Sequence, residues 1–130
     1  MTSRRELIDA FGVAFHSNGD QIFDLLSADV TPKQVAGTTY TLGEDDAGCY
    51  IEFTSGSPVT VTVPPNNAAH FHLGVVITFE QGGAGQVTIA AGAGVTIRSS
   101  GNLVASAAQY AVLSLIKRGT NAWTLCGERA

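Results

Sequence analysis

Three stretches carry residue types whose spacing invites chemistry: the glycine clusters within Leu73 to Ile97 (LGVVITFEQGGAGQVTIAAGAGVTI), the pair His70 and His72, and the acidic run Glu44-Asp45-Asp46. A phosphate loop needs Lys-Ser or Lys-Thr after its glycines and a helix whose N-terminus faces the phosphate. Here Gln86-Val87-Thr88-Ile89 follows, a strand pattern, and no lysine occurs between Lys33 and Lys117. A dinucleotide fingerprint would need a third glycine after Gly83 and Gly85, and then a helix. Both are missing from the sequence. These glycines read as turns between short strands.

Two histidines one residue apart on a strand point to the same face and can offer two imidazoles to one metal. No cysteine or carboxylate lies close in sequence to complete the set, so two ordinary loop-edge histidines are expected, with no resident metal or other cofactor. The acidic run lacks the ligand spacing of a calcium-binding EF-hand and reads as a solvated turn. Gly56-Ser57 is followed by Pro58, which does not fit the G-x-S-x-G elbow of a nucleophilic serine. The six acids from Thr38 onward fall mostly in turns, a poor basis for paired-carboxylate catalysis. No catalytic residue is assigned, and a non-enzymatic role is expected. The aromatics Tyr40, Tyr50, Phe53, Phe71, Phe79, Tyr110 and Trp123 read as core. Trp123, beside the Lys117–Asn121 turn, is the best placed of them to serve as a sugar-stacking platform.

The elements around these residues change character at Gly37. Ser3 and Glu6 fit a capping box, and Leu7, Ile8, Phe11 and Phe15 follow at helical spacing. After a break at Ser17-Asn18-Gly19, Ile22, Phe23, Leu25 and Leu26 form a second short apolar run. Thr31-Pro32-Lys33-Gln34 resembles a further helix start, with a Thr cap and proline at the first helical position. Helices this short need tertiary burial, so Leu7, Ile8, Phe11, Phe15, Ile22, Phe23 and Leu26 are the candidate docking or oligomerisation residues. From Thr38 the apolar period becomes two. Thr39–Leu42, Cys49–Phe53, Pro58–Val63, the three runs of the glycine-rich stretch, and a hairpin of Tyr110–Ile116 with Ala122–Cys126 make about eight short strands. The expectation is a helical segment at 1–37 and a β-rich domain at 38–130, mainly β, as a compact sandwich or barrel. Gly83-Ala84-Gly85-Gln86-Val87-Thr88-Ile89 is echoed by Gly92-Ala93-Gly94-Val95-Thr96-Ile97, which predicts two equivalent strands, although two copies are too few for a solenoid.

Totals narrow the function classes. A chain of 130 residues with 45% hydrophobic content can bury one real core. Only 14% of its residues are charged, which suits a surface largely hidden against other subunits. Net charge is −4, and the basic clusters are Arg4-Arg5 and Lys117-Arg118, so no phosphate-neutralising patch points to nucleic acid. Charge at the N-terminus argues against an export signal, and no apolar run reaches membrane-spanning length. Cys49 and Cys126 are then expected as two separate thiols.

Several motifs together suggest a family: Tyr40-Thr41-Leu42, Asp46-Ala47-Gly48, Val59-Thr60-Val61-Thr62-Val63-Pro64, Gly82 to Ile89, Gly94-Val95-Thr96-Ile97, Gln109-Tyr110-Ala111, and Leu115-Ile116-Lys117-Arg118-Gly119 through Trp123. The span Tyr40 to Gly127 resembles a small β-module of structural proteins of tailed bacteriophages, and Arg5 to Leu26 is similar to short helical modules that open phage fibre and baseplate chains. The resemblance implies a virion structural protein, homotrimeric, of the capsid decoration (cement) or head-fibre type. A small tail or baseplate fibre component, or a carbohydrate- or receptor-binding module, is the alternative. Implied partners are the chain itself, the major capsid protein or tail proteins, and, in the alternative, a host-surface glycan. The location implied is the virion, assembled in the host cytoplasm. Such modules usually sit in larger fibre chains; here the module fills nearly the whole chain, which favours a small stand-alone component. Some phage spikes bind iron through HxH pairs, and in a trimer His70 and His72 would supply six such nitrogens.

Overall fold

Val/Thr alternation over Val59–Val63 buries every second side chain, and the same period recurs in Val76–Gln81 and Val87–Ala91. In a strand successive side chains face opposite ways, so each of these runs must lie between a core and a surface. A computed structural model describes residues 32–130 and shows how they are stacked. The described chain is mainly β, with nine short strands: β1 (Lys33–Val35), β2 (Thr39–Thr41), β3 (Tyr50–Phe53), β4 (Val59–Val63), β5 (Val76–Gln81), β6 (Val87–Ala91), β7 (Thr96–Ser99), β8 (Val112–Gly119) and β9 (Ala122–Gly127).

From β1 to β7, consecutive strands alternate between two sheets. The larger sheet has the order β1-β3-β5-β8-β9-β7 and the smaller the order β2-β4-β6. β1, β3 and β5 run parallel, with Lys33 beside Ile51 and Ile51 beside Phe79. β2, β4 and β6 do the same, with Tyr40 beside Val61 and Val61 beside Ile89. The chain therefore winds as stacked parallel coils, each contributing one strand to each sheet. A hairpin of β8 and β9 then closes the larger sheet, with β8 antiparallel to β5 and β9 parallel to β7. One core lies between the layers, built from Ile51, Phe53, Val59, Val61, Val63, Ile77, Phe79, Leu113, Leu115, Trp123 and Leu125. This two-layer β architecture agrees with the sandwich-like expectation; its coil-by-coil winding was not anticipated.

Several local expectations change. Lys33–Val35 is a strand, not the first turn of a helix. Its pairing with β3, and the draw of Lys33 toward Asp46, override the proline-at-N1 signal. Sheet residues thus begin before the expected boundary at 37/38. The segment with Leu7, Ile8, Phe11, Phe15, Ile22, Phe23 and Leu26 lies outside the described residues. The two echoed strands are not equivalent: β6 belongs to the smaller sheet, whereas β7 is the edge strand beside β9 in the larger one. Adjacent strands in this winding must change sheets, so sequence likeness between neighbours does not make them paired partners.

The glycines of the opening stretch have a packing role. A Cβ on Gly83 would stand 2.3 Å from the Ser55 carbonyl oxygen, and one on Gly85 would stand 1.9 Å from that of Ser57. Successive turns of the stack, 54–57 and 82–86, meet there backbone to backbone, and only glycine leaves the room.

Candidate functional site

The described residues hold two concentrations of polar chemistry, both at the ends of the coils. The first surrounds Lys117. Alternation along β8 sends this lysine inward after Leu113 and Leu115, and it is 2% exposed. Its Nζ donates to Asn66 Oδ1 at 2.7 Å and lies 5.9 Å from the Phe71 ring centre and 5.7 Å from that of Trp123. Those two rings meet edge-on at 5.4 Å. The lysine main chain also bonds the same loop, its N–H donating to the Val75 carbonyl and its carbonyl accepting from Gly74. Asn66 in turn donates its N–H to Asn121 Oδ1 at 2.7 Å. Burial holds the Lys117 amine below its ordinary value. A depressed lysine can be a nucleophile, but this one is enclosed by an amide and two ring faces. Its chemistry is that of a clamp, fastening the 64–75 loop to the β8–β9 hairpin through a hydrogen bond and cation–π contacts.

His70 and His72 project from this loop, both exposed, with rings edge-to-face and centres 5.4 Å apart. They do share a side, as their spacing suggested, although they sit on a loop and not on a strand. His70 Nδ1 is 3.1 Å from Asn66 Oδ1, and its main-chain N–H donates to Glu44 Oε2 at 3.0 Å. Among the described residues no three His, Cys, Asp or Glu side chains converge as a metal-ligand set.

The second concentration surrounds Asp46, which the sequence placed in a solvated turn. Its short 3-10 turn, Glu44–Asp46, instead folds the carboxylate inward to 1% exposure. Lys33 Nζ donates to it at 2.8 Å, the Tyr40 hydroxyl at 2.8 and 2.9 Å, and the Gly43 N–H at 2.8 Å. The bond to Asp46, seconded by that to Tyr40, holds the Lys33 amine above its ordinary range, while burial raises the Tyr40 phenol. A carboxylate so fully engaged is neither a free base nor a cation ligand. It ties β1, β2 and the turn into the first coil. A third buried group, Ser106, donates to Gln81 Oε1, accepts from the Val87 N–H at 2.9 Å, and gives its carbonyl to Gln86 Nε2 at 2.9 Å. With neither histidine nor carboxylate in contact it has no activating base, and it seals the seam between β6 and the 103–106 segment.

Lys117 and Ser106 were not singled out by sequence reasoning, and Asp46 entered it only as part of a solvated acidic turn. A charged residue at an inward position of an otherwise apolar alternation, as in Leu113-x-Leu115-x-Lys117, was the available signal for the first. Trp123 is 1% exposed and belongs to the core with most of the other aromatics. Tyr110 does not: it is 67% exposed, on a backbone with φ of 71°. Cys49 and Cys126 are free thiols.

The remaining surface is made by the outward halves of the strands. On the smaller sheet Thr39, Thr60 and Thr88 stand side by side in register, as do Thr41, Thr62 and Ala90, so this face carries hydroxyls and no charge. No protein-family model, curated protein or solved structure matches the chain.

Proposed function

We propose that the chain is a non-enzymatic structural component of a tailed-phage virion, a homotrimeric capsid decoration or head-fibre protein. The observation that supports this reading best is the stack of parallel coils with an uncharged threonine face on the smaller sheet. Stacked parallel coils make a stiff body whose shape comes from repetition, and a face without charges or long flexible side chains loses little solvation and little entropy when covered. The polar clusters around Lys117, Asp46 and Ser106 brace the coils, which is consistent with a part that bears load. Its mechanism is adhesive: area buried against sister copies and the shell, at about 25 cal/mol per Å2 of apolar surface, holds many copies in place.

The second reading, a receptor- or glycan-binding module, draws on Tyr110, whose exposed ring could stack on a sugar. The deciding experiment is localisation on intact particles with a labelled antibody. Label over the capsid supports the decoration or head-fibre role, and label on the tail moves the chain to the fibre class. Particles without label, together with glycan binding that Tyr110→Ala abolishes, would replace the first reading by the second.

A further inference from the structure

The outward side chains of the larger sheet fall into three rows that cross its strands. The first joins Val76, Ile116, Thr124 and Arg98 through consecutive registers, with exposed Arg118 just beyond it at the bulge in β8. The middle row joins Tyr50, Thr78, Ser114 and Cys126. The third joins Gln34, Glu52, Glu80 and Val112, and Glu128 lies across from Val112, to which its main chain is hydrogen bonded. One rim of this face is therefore basic, the opposite rim acidic, and the centre uncharged. Val76 in the basic-rim row is 41% exposed, and Leu73 on the loop leading into β5 is 70% exposed.

The polarity runs along the strands, so the two rims lie on the left and right of the coil stack. Copies arranged by rotation about an axis parallel to the stacking direction set the basic rim of each against the acidic rim of the next. Such a contact is heterologous and closes into a ring. From this charge complementarity we infer that the outer face of the larger sheet is the subunit interface of a closed trimer. At matching heights along the stack, Arg118 of one copy meets Glu80 of the next and Arg98 meets Glu128, and the middle row surrounds the axis. The inference takes its trimer from the virion reading and adds the surface that makes it. Each exposed pair contributes little alone; repetition around the ring and burial of the neutral centre, Val76 and Ile116 included, supply the rest.

The full chain is tested by light scattering and sedimentation equilibrium. The wild type is expected as a trimer whose dissociation constant rises at least tenfold between 50 mM and 1 M salt. Arg98→Glu with Arg118→Glu, and separately Glu80→Lys with Glu128→Lys, should dissociate it while leaving the far-UV spectrum and melting cooperativity of each subunit intact. All four reversals in one chain restore opposite rims and should restore the trimer, which a folding defect would not do. A dimer, a monomer, or a trimer indifferent to the reversals overturns the assignment of this surface. A dimer or a monomer also removes the trimer from the proposed function, but the virion role itself fails only if particles lack the protein.

Discussion

At the residue scale, a few buried polar groups fasten parts of the described unit to one another around its apolar core. Asp46 accepts from Lys33, Tyr40 and Gly43 at once, so Asp46→Ala leaves three donors without their acceptor. Hydrogen bonds to a charged group contribute about 1.5–3 kcal/mol each, and Lys33 is partly solvated. A net loss of about 2–3 kcal/mol is therefore expected, read as a lower urea midpoint with unchanged slope. Alkaline pH has a different signature. The hydrogen bond to Glu80 pushes the Tyr50 phenol up to about 12, above its value in the unfolded chain. Stability from this group is complete below about pH 10 and is lost as pH rises toward 12, because the unfolded chain gives up the proton first. Lys117 acts in the opposite sense. Its folded value is depressed, so its burial opposes folding at neutral pH and that opposition lifts as pH approaches 10.5. Denaturation midpoints between pH 9 and 12 should thus fall less steeply in Tyr50→Phe than in the wild type; an identical fall would show that the phenol carries no such linkage.

Elements show what was legible in the sequence and what was not. The strands from β2 onward follow the period-two runs, because alternation reports directly which side chains face the core. β1 was hidden because three residues are too few to show a period, and Thr31-Pro32 imitates a helix start. Pairing was not legible at all. β4 and β6 align Val59 with Val87 across an intervening strand that belongs to the other sheet. Nothing in a local window reports such a partner. The glycine turns were read correctly as corners, and the structure adds which corners touch. Gly85→Ala should cost about 1–3 kcal/mol, since its Cβ would meet the Ser57 carbonyl oxygen at 1.9 Å and the turn must shift. Gly56→Ala, with open space around it in the facing turn of the neighbouring coil, should stay within about 0.5 kcal/mol of the wild type. Paired urea melts of the two variants make the comparison. Of the candidate chemistry, His70 and His72 were legible as a pair, whereas Lys117 and Asn66 were not, because a loop and a strand far apart in sequence had to meet before they became neighbours.

At the scale of the whole described unit, the thiols lie apart and the polar braces around Lys117 and Asp46 sit at the coil ends. Cys126 is exposed and Cys49 half-buried, and neither is bonded to the other. Melting should therefore be indifferent to reductant, and a thiol-reactive dye should modify Cys126 well before Cys49 in the native protein. If the larger sheet is covered in a trimer as inferred, the same labelling of Cys126 slows at protein concentrations above the dissociation constant, while the rate at Cys49 is unaffected.

The placement of β8 has a consequence for how the chain reaches this state. β8 sits between β5 and β9, so the larger sheet cannot be completed until residues beyond Val112 have left the ribosome. Every earlier pair is parallel and joins residues from different coils, whereas the β8–β9 hairpin forms from near neighbours. Long-range parallel pairing is slow because loop closure precedes the contacts that reward it. The local hairpin is thus the expected seed, and the coils are expected to assemble against it from β5 back toward β1, opposite to the direction of synthesis. Substitutions in the hairpin such as Leu115→Ala should slow refolding, while those in β1 such as Val35→Ala should mainly speed unfolding, a division that stopped-flow chevrons would read directly. A nascent chain halted before β8 would expose one whole edge of β5, which makes the interval before the hairpin appears the period of greatest risk from aggregation.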